Sequence, residues 1–118
     1  MTTQMCFDAD AITSFISRSR SDGITMPVHL GLPGVADRLK LMKISERIGV
    51  GQSMNFLSKN KGLVSKFLKP GGYTPNELLS QLGTTFSDPA AKVEGVHIYT
   101  FNQCETTERW RQEYLAQL

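Results

Sequence analysis

Three short segments, residues 2–7, 26–30 and 96–101, read as strands, and each leads into a helical pattern. That alternation constrains the fold more than any other feature of the sequence. Strands separated by helices pair in parallel through right-handed crossovers, because a right-twisted strand feeding a helix packs back onto its sheet that way. The expected class is therefore α/β. The order is strand, helix, strand, several helices, strand, helix.

Helix boundaries carry local signals. Asp8 is placed to cap a first helix whose face is marked by Ile12, Phe15 and Ile16 as far as Arg20, and Ser21-Asp22-Gly23 stops it. The strand at 26–30 ends in a turn, Gly31-Leu-Pro-Gly34. A second helix follows with Val35, Leu39, Met42 and Ile44 near helical spacing, stopping near Gly49. Two short helical pieces are expected between Gln52 and Leu68, and Lys69-Pro-Gly-Gly72 breaks the chain again. Thr74-Pro-Asn-Glu77 has the form of a capping box with proline at the first helical position, and Leu78, Leu79 and Leu82 carry that helix to about Phe86. Asn102 and Glu105 have capping-box spacing before a last helix.

Side chains alternate between the faces of a strand, so each strand divides into two rows. Met5 and Phe7 oppose Thr2, Gln4 and Cys6. Val28 and Leu30 oppose His29 and Gly31, and Val96 and Ile98 oppose His97, Tyr99 and Phe101. Helices would cover the aliphatic rows. The polar rows would face one another, as inside a barrel of parallel strands, with Gln4 and Gln103 near its functional mouth. Taken singly, the same residues also fit satisfied core histidines and a surface glutamine at a strand end.

Composition bounds the rest. The chain of 118 residues, 40% hydrophobic and 20% charged, fits one soluble unit spanning residues 1–118. No apolar run is long enough for a bilayer, and MTTQMCFD lacks a basic region followed by an apolar stretch, so neither a membrane nor a secretory reading is supported. Cys6 and Cys104 make no CxxC pair and no disulfide framework, which points to a reducing cytoplasm. Basic residues concentrate between Arg38 and Lys69, where Glu46 is the one acidic residue. These charges suit an anionic ligand or simply two solvated helix faces. No aromatic interleaving accompanies them, so nucleic acid is not an expected partner.

Other constellations are weak. His29, His97, Cys6 and Cys104 match no standard zinc spacing, and no motif marks either cysteine as a nucleophile. Gly49-Val-Gly51-Gln-Ser53 follows a helix and lacks the third glycine and the lysine of phosphate loops. The turn at 31–34 joins a strand to a helix start, where backbone N–H groups can hold an anion, and reads more readily as a tight turn before a helix.

Three stretches, TQMCFDADAI, PVHLGLPGVADRLKLMKISERIGVG and GVHIYTFNQ, resemble the carboxyl-terminal part of the methylenetetrahydrofolate reductase family. The most specific pieces are Thr-Gln-x-x-Phe-Asp at 3–8 and Tyr-Thr-Phe-Asn at 99–102, and the middle looks most like a divergent bacterial branch. The resemblance covers nearly the whole chain. It implies the last three parallel strands of a (β/α)8 TIM barrel with their helices, from a flavin-dependent oxidoreductase of one-carbon and methionine metabolism. That family reduces methylenetetrahydrofolate to methyltetrahydrofolate with FAD, usually reduced first by NAD(P)H. Its acidic catalytic residue and most flavin contacts lie in strands this chain lacks, so no catalytic or flavin-binding residue is assigned here.

The resemblance does assign substrate contacts. Gln4 matches a glutamine that binds the folate or nicotinamide ring, where an amide can donate and accept at once. Tyr99 and Gln103 match the substrate mouth after the last strand, with Gln103 where the family often has arginine. Lys40 falls near a polar substrate-contacting position. The turn at 31–34 departs from the family's proline-glycine pattern. A barrel needs roughly 250 residues, so a chain of this length is expected to be inactive alone. The alternative is a non-catalytic α/β binding or assembly module that closes its sheet as a homo-oligomer.

Overall fold

A computed structural model of the chain describes residues 1–47 and 72–118. The helical pieces expected between Gln52 and Leu68, the glycine pair at 49–51 and most of the basic stretch lie outside the described residues. The elements in chain order are α1 (Ala9–Ser21), β1 (Val28–Pro33), α2 (Arg38–Arg47), α3 (Asn76–Gln81), α4 (Gly83–Ser87), β2 (Val93–Tyr99) and α5 (Cys104–Ala116). They fall into two compact units, Met1–Pro33 with Pro75–Tyr99, and Gly34–Thr74 with Thr100–Leu118. Among the described residues, no helix is long and apolar enough to cross a membrane.

The first unit holds a mixed α/β core. β1 and β2 pair in parallel, with His29 opposite Gly95, Gly31 opposite His97 and Pro33 opposite Tyr99; the register slips between Val28 and His29. Asp8 caps α1 as its sequence position requires, its carboxylate accepting from the Asp10 N–H at 2.9 Å and the Ala11 N–H at 3.2 Å. At the other end, the Gly23 N–H donates to the Arg20 carbonyl and the Ile24 N–H to the Ser19 carbonyl, with Gly23 at φ +80°. This is a Schellman closure, and the left-handed position is why glycine stands there. Arg20 adds a clamp: its Nε and Nη2 donate to the Ala91 carbonyl at 3.1 and 2.7 Å, and its Nη1 to the Ile24 carbonyl at 2.6 Å.

Ile12 and Ile16 of α1 bury against Val28, Leu30 and Leu32 of β1 and Leu78 and Leu82 of the α3–α4 region. Phe15, expected on that face, is 44% exposed. The buried stripe runs Ile12, Ile16, Ser19, and Phe15 lies beside it. The expected capping box at 74–77 does not start α3. Pro75 occupies the cap position and has no side-chain oxygen to offer. The helix then breaks at Leu82, whose side chain is fully buried, and resumes as α4.

Two strand expectations are corrected. The segment 2–7 forms no continuous strand, only an isolated parallel bridge of Thr2 with His29. Its ladder is interrupted because the Gly31 N–H donates to the Thr3 hydroxyl instead of a backbone carbonyl, at 2.7 Å. The second strand, expected to end at Leu30, continues through Pro33. Residues 31–33 are therefore strand rather than turn, and α2 begins only at Arg38, so the anion-holding turn does not exist in that form.

In the second unit, Ala36 and Tyr73 exchange backbone hydrogen bonds as an antiparallel bridge. Gly72, at φ +82°, lies so close that a Cβ would stand 2.9 Å from the Ala36 carbonyl oxygen. Asp37 starts α2 by accepting from the Lys40 N–H. Leu41 is buried in this helix, whereas Leu39 is 71% exposed, against the sequence expectation. Before α5, Phe101 and Asn102 both have positive φ, 52° and 63°, and the Gln103 N–H donates to the Thr100 carbonyl. That turn moves the cap of α5 from Asn102 to Gln103.

Candidate functional site

Thr3 organises the polar side of the sheet. Its N–H donates to the His29 carbonyl at 3.1 Å, and its hydroxyl accepts from the Gly31 N–H. Its own carbonyl accepts from the Tyr99 hydroxyl at 3.1 Å. Tyr99 thus reaches from β2 past β1 to the amino-terminal segment. Gly31 makes this approach possible, since a Cβ there would stand 2.7 Å from the Gln4 carbonyl oxygen and closer still to that of Thr3. Glycine inside a strand often marks such close backbone approach.

A second glycine serves the same face. The His29 ring lies over Gly95, where a Cβ would meet its Cδ2 at 3.3 Å. The His97 ring meets Tyr99 edge-on, with centroids 4.8 Å apart and planes at 75°. His29 and His97 are both exposed, so neither is a core histidine. Tyr99 is half-buried and Gln4 exposed. This face carries imidazole and phenol groups with glycines between them. Among the described residues, no group of three His, Cys, Asp or Glu is placed to hold a metal ion.

The rows differ from expectation in two respects: Val96, placed in a helix-covered row, is 36% exposed, and the amino-terminal segment faces the other way. Met5 and Phe7 are buried, but neither belongs to the helix-covered cluster, which Cys6 borders instead. The amino-terminal segment therefore turns Cys6, not its larger apolar residues, toward the helices. Interrupting the ladder is what frees this segment from the facing dictated by β1 and β2.

Of the four residues assigned to substrate, Gln4 and Tyr99 meet through Thr3. The Gln4 amide does not have both its groups free: its Oε1 accepts from the Met5 N–H at 2.8 Å. Gln103 and Lys40 belong to the second unit. Gln103 occupies the cap position of α5 and is half-buried, and Lys40 is exposed in the first turn of α2. Thr3, Gly31 and Gly95 went unassigned in the sequence, although two glycines in strand-like segments were a legible signal for close packing.

A groove lies on the helix side of the first unit. It is open, about 420 Å³ in volume, and lined by Thr13, Ser17, Arg20, Thr84 and Asp88, among others. Its arginine is already engaged by two carbonyls.

By fold and by this face, the protein is a mixed α/β chain with parallel pairing in its sheet. No family model matches it.

Proposed function

We propose that this chain contributes the carboxyl-terminal portion of a (β/α)8 barrel in a flavin-dependent, methylenetetrahydrofolate reductase-like oxidoreductase, and that its polar sheet face is a substrate-side wall. The observation that carries the reading is the Tyr99–Thr3 hydrogen bond. It joins the two stretches in which the resemblance is most specific, Thr-Gln-x-x-Phe-Asp and Tyr-Thr-Phe-Asn. Bound FAD would supply the hydride chemistry, with NAD(P)H as its electron donor, and would be held by strands other than these. This chain's part is to bind and orient. Gln4 hydrogen-bonds the folate ring and Tyr99 borders it; for Gln103 and Lys40, which belong to the second unit, the resemblance alone supports polar contacts with substrate.

The 118-residue chain is accordingly expected to be colourless and inactive when purified alone. Joined to the amino-terminal half of a related barrel, it should acquire flavin absorbance and reduce methylenetetrahydrofolate. A chain that is yellow and turns over by itself would overturn the proposal.

One observation favours a second reading, a self-associating α/β module. Among the described residues, β2 pairs on one side only, and its Val96 is 36% exposed. An open parallel edge of this kind is normally covered. A cooperatively melting dimer by solution mass would favour this module. An aggregating or molten monomer would favour the barrel portion.

A further inference from the structure

We propose that Tyr99 is a positioning residue for Gln4, acting through the Thr3 carbonyl, and that the amide so held selects ligand groups that accept hydrogen bonds. The inference rests on the reading of Gln4 as a substrate contact and sharpens it. A phenol has one proton to donate, and that of Tyr99 is directed to the Thr3 carbonyl at 3.1 Å. Tyr99 therefore has no donor left for a ligand. The carbonyl it holds belongs to the peptide group joining Thr3 to Gln4, so the restraint acts on the backbone nitrogen of Gln4 itself.

Thr3 is held at all three of its polar groups, by the His29 carbonyl, the Gly31 N–H and the Tyr99 hydroxyl. Gly31 adds no Cβ to push it away. One step along, the Gln4 side chain folds onto its own backbone. The atom 2.8 Å from the Met5 N–H must be the amide oxygen, because an N–H cannot donate to an NH2 group. The NH2 end of this exposed residue makes no hydrogen bond among the described residues. Gln4 thus offers two donors. Ring carbonyls, ring nitrogens with lone pairs and carboxylate oxygens fit it; ring N–H groups do not.

The test uses the nitrogen-15-labelled chain joined to the amino-terminal half of a related barrel and compares the unaltered protein with Tyr99→Phe. Removing the hydroxyl should raise Met5 amide exchange about fivefold, the size expected for one ordinary hydrogen bond, and should shift the Gln4 side-chain NH2 resonances. Gly31→Ala, which displaces Thr3 while keeping Tyr99, should do the same. Titration with 5-methyltetrahydrofolate then follows those NH2 resonances. Tyr99→Phe should weaken binding in the unaltered background and have no further effect in a Gln4→Ala background. Unchanged Met5 exchange and unchanged NH2 signals in Tyr99→Phe would overturn the positioning role, as would equal weakening with and without Gln4. If the folate leaves the NH2 signals of the unaltered chain unmoved, the substrate reading and the ligand selection fall together. The exchange measurements still decide the positioning role.

Discussion

Gly31 and Gly83 are both glycines with negative φ, yet replacing each with alanine should act in opposite directions. At Gly31 an added Cβ meets backbone carbonyl oxygens of Thr3 and Gln4, which cannot swing aside as a side-chain tip could. Such overpacking costs about 1–3 kcal/mol. At Gly83, in the first turn of α4, the Cβ would meet nothing within 4 Å. There the lowered entropy of the unfolded chain should stabilise by about 0.4–1 kcal/mol. Urea denaturation of the two variants checks both signs. The chemistry of Gly31 was visible in the sequence as a glycine in a polar row. Its reason was not, because the obstructing carbonyls come from Thr3 and Gln4, far earlier in the chain.

At the scale of elements, local signals worked where a helix ends itself and failed where neighbours choose the face. The Asp8 cap and the Gly23 stop of α1 involve residues within one turn, and both formed. Ile12 and Ile16 are buried as expected, but Phe15 and Leu39, on the same predicted stripes, are exposed, since the burying surface takes Ser19 and Leu41 instead. α5 offers a titration test. Arg111 hydrogen-bonds the Glu108 carboxylate at 2.7 and 2.8 Å, and Gln112 adds a bond at 3.0 Å. Arg111 first, then Gln112, holds the Glu108 carboxyl down from the usual 4.5 to about 2. A carboxyl lowered by folding stabilises fully above its unfolded value, so this contribution is complete above pH 4.5 and disappears as pH falls toward 2. The pair is exposed at the surface, which keeps the effect small. The Glu108 carboxyl carbon should titrate near pH 2 by NMR, and Arg111→Ala should return it toward 4.5.

For the whole molecule, the sheet predicts a gradient of protection. β1 has β2 on one side and the bonds to Met1, Thr3 and Cys6 on the other, whereas β2 is bonded on one side only among the described residues. Hydrogen exchange should accordingly be slower along β1 than along β2. Should the chain self-associate through its open edge, protection of β2 would rise with protein concentration while that of β1 stayed constant. The sequence by itself determined the α/β class, the parallel pairing of the segments around His29 and His97, the start and stop of α1, and the division of β1 into an aliphatic and a polar row. Those follow from periodicity and from hydrogen bonds within a few residues. Only the tertiary structure decided that 31–33 is strand, that 2–7 makes a single bridge, and that Tyr99 spends its hydroxyl on Thr3. Each of these turns on a contact between segments far apart in the chain: a threonine hydroxyl took the place of a ladder carbonyl, and a missing Cβ let two backbones and a phenol meet at one point.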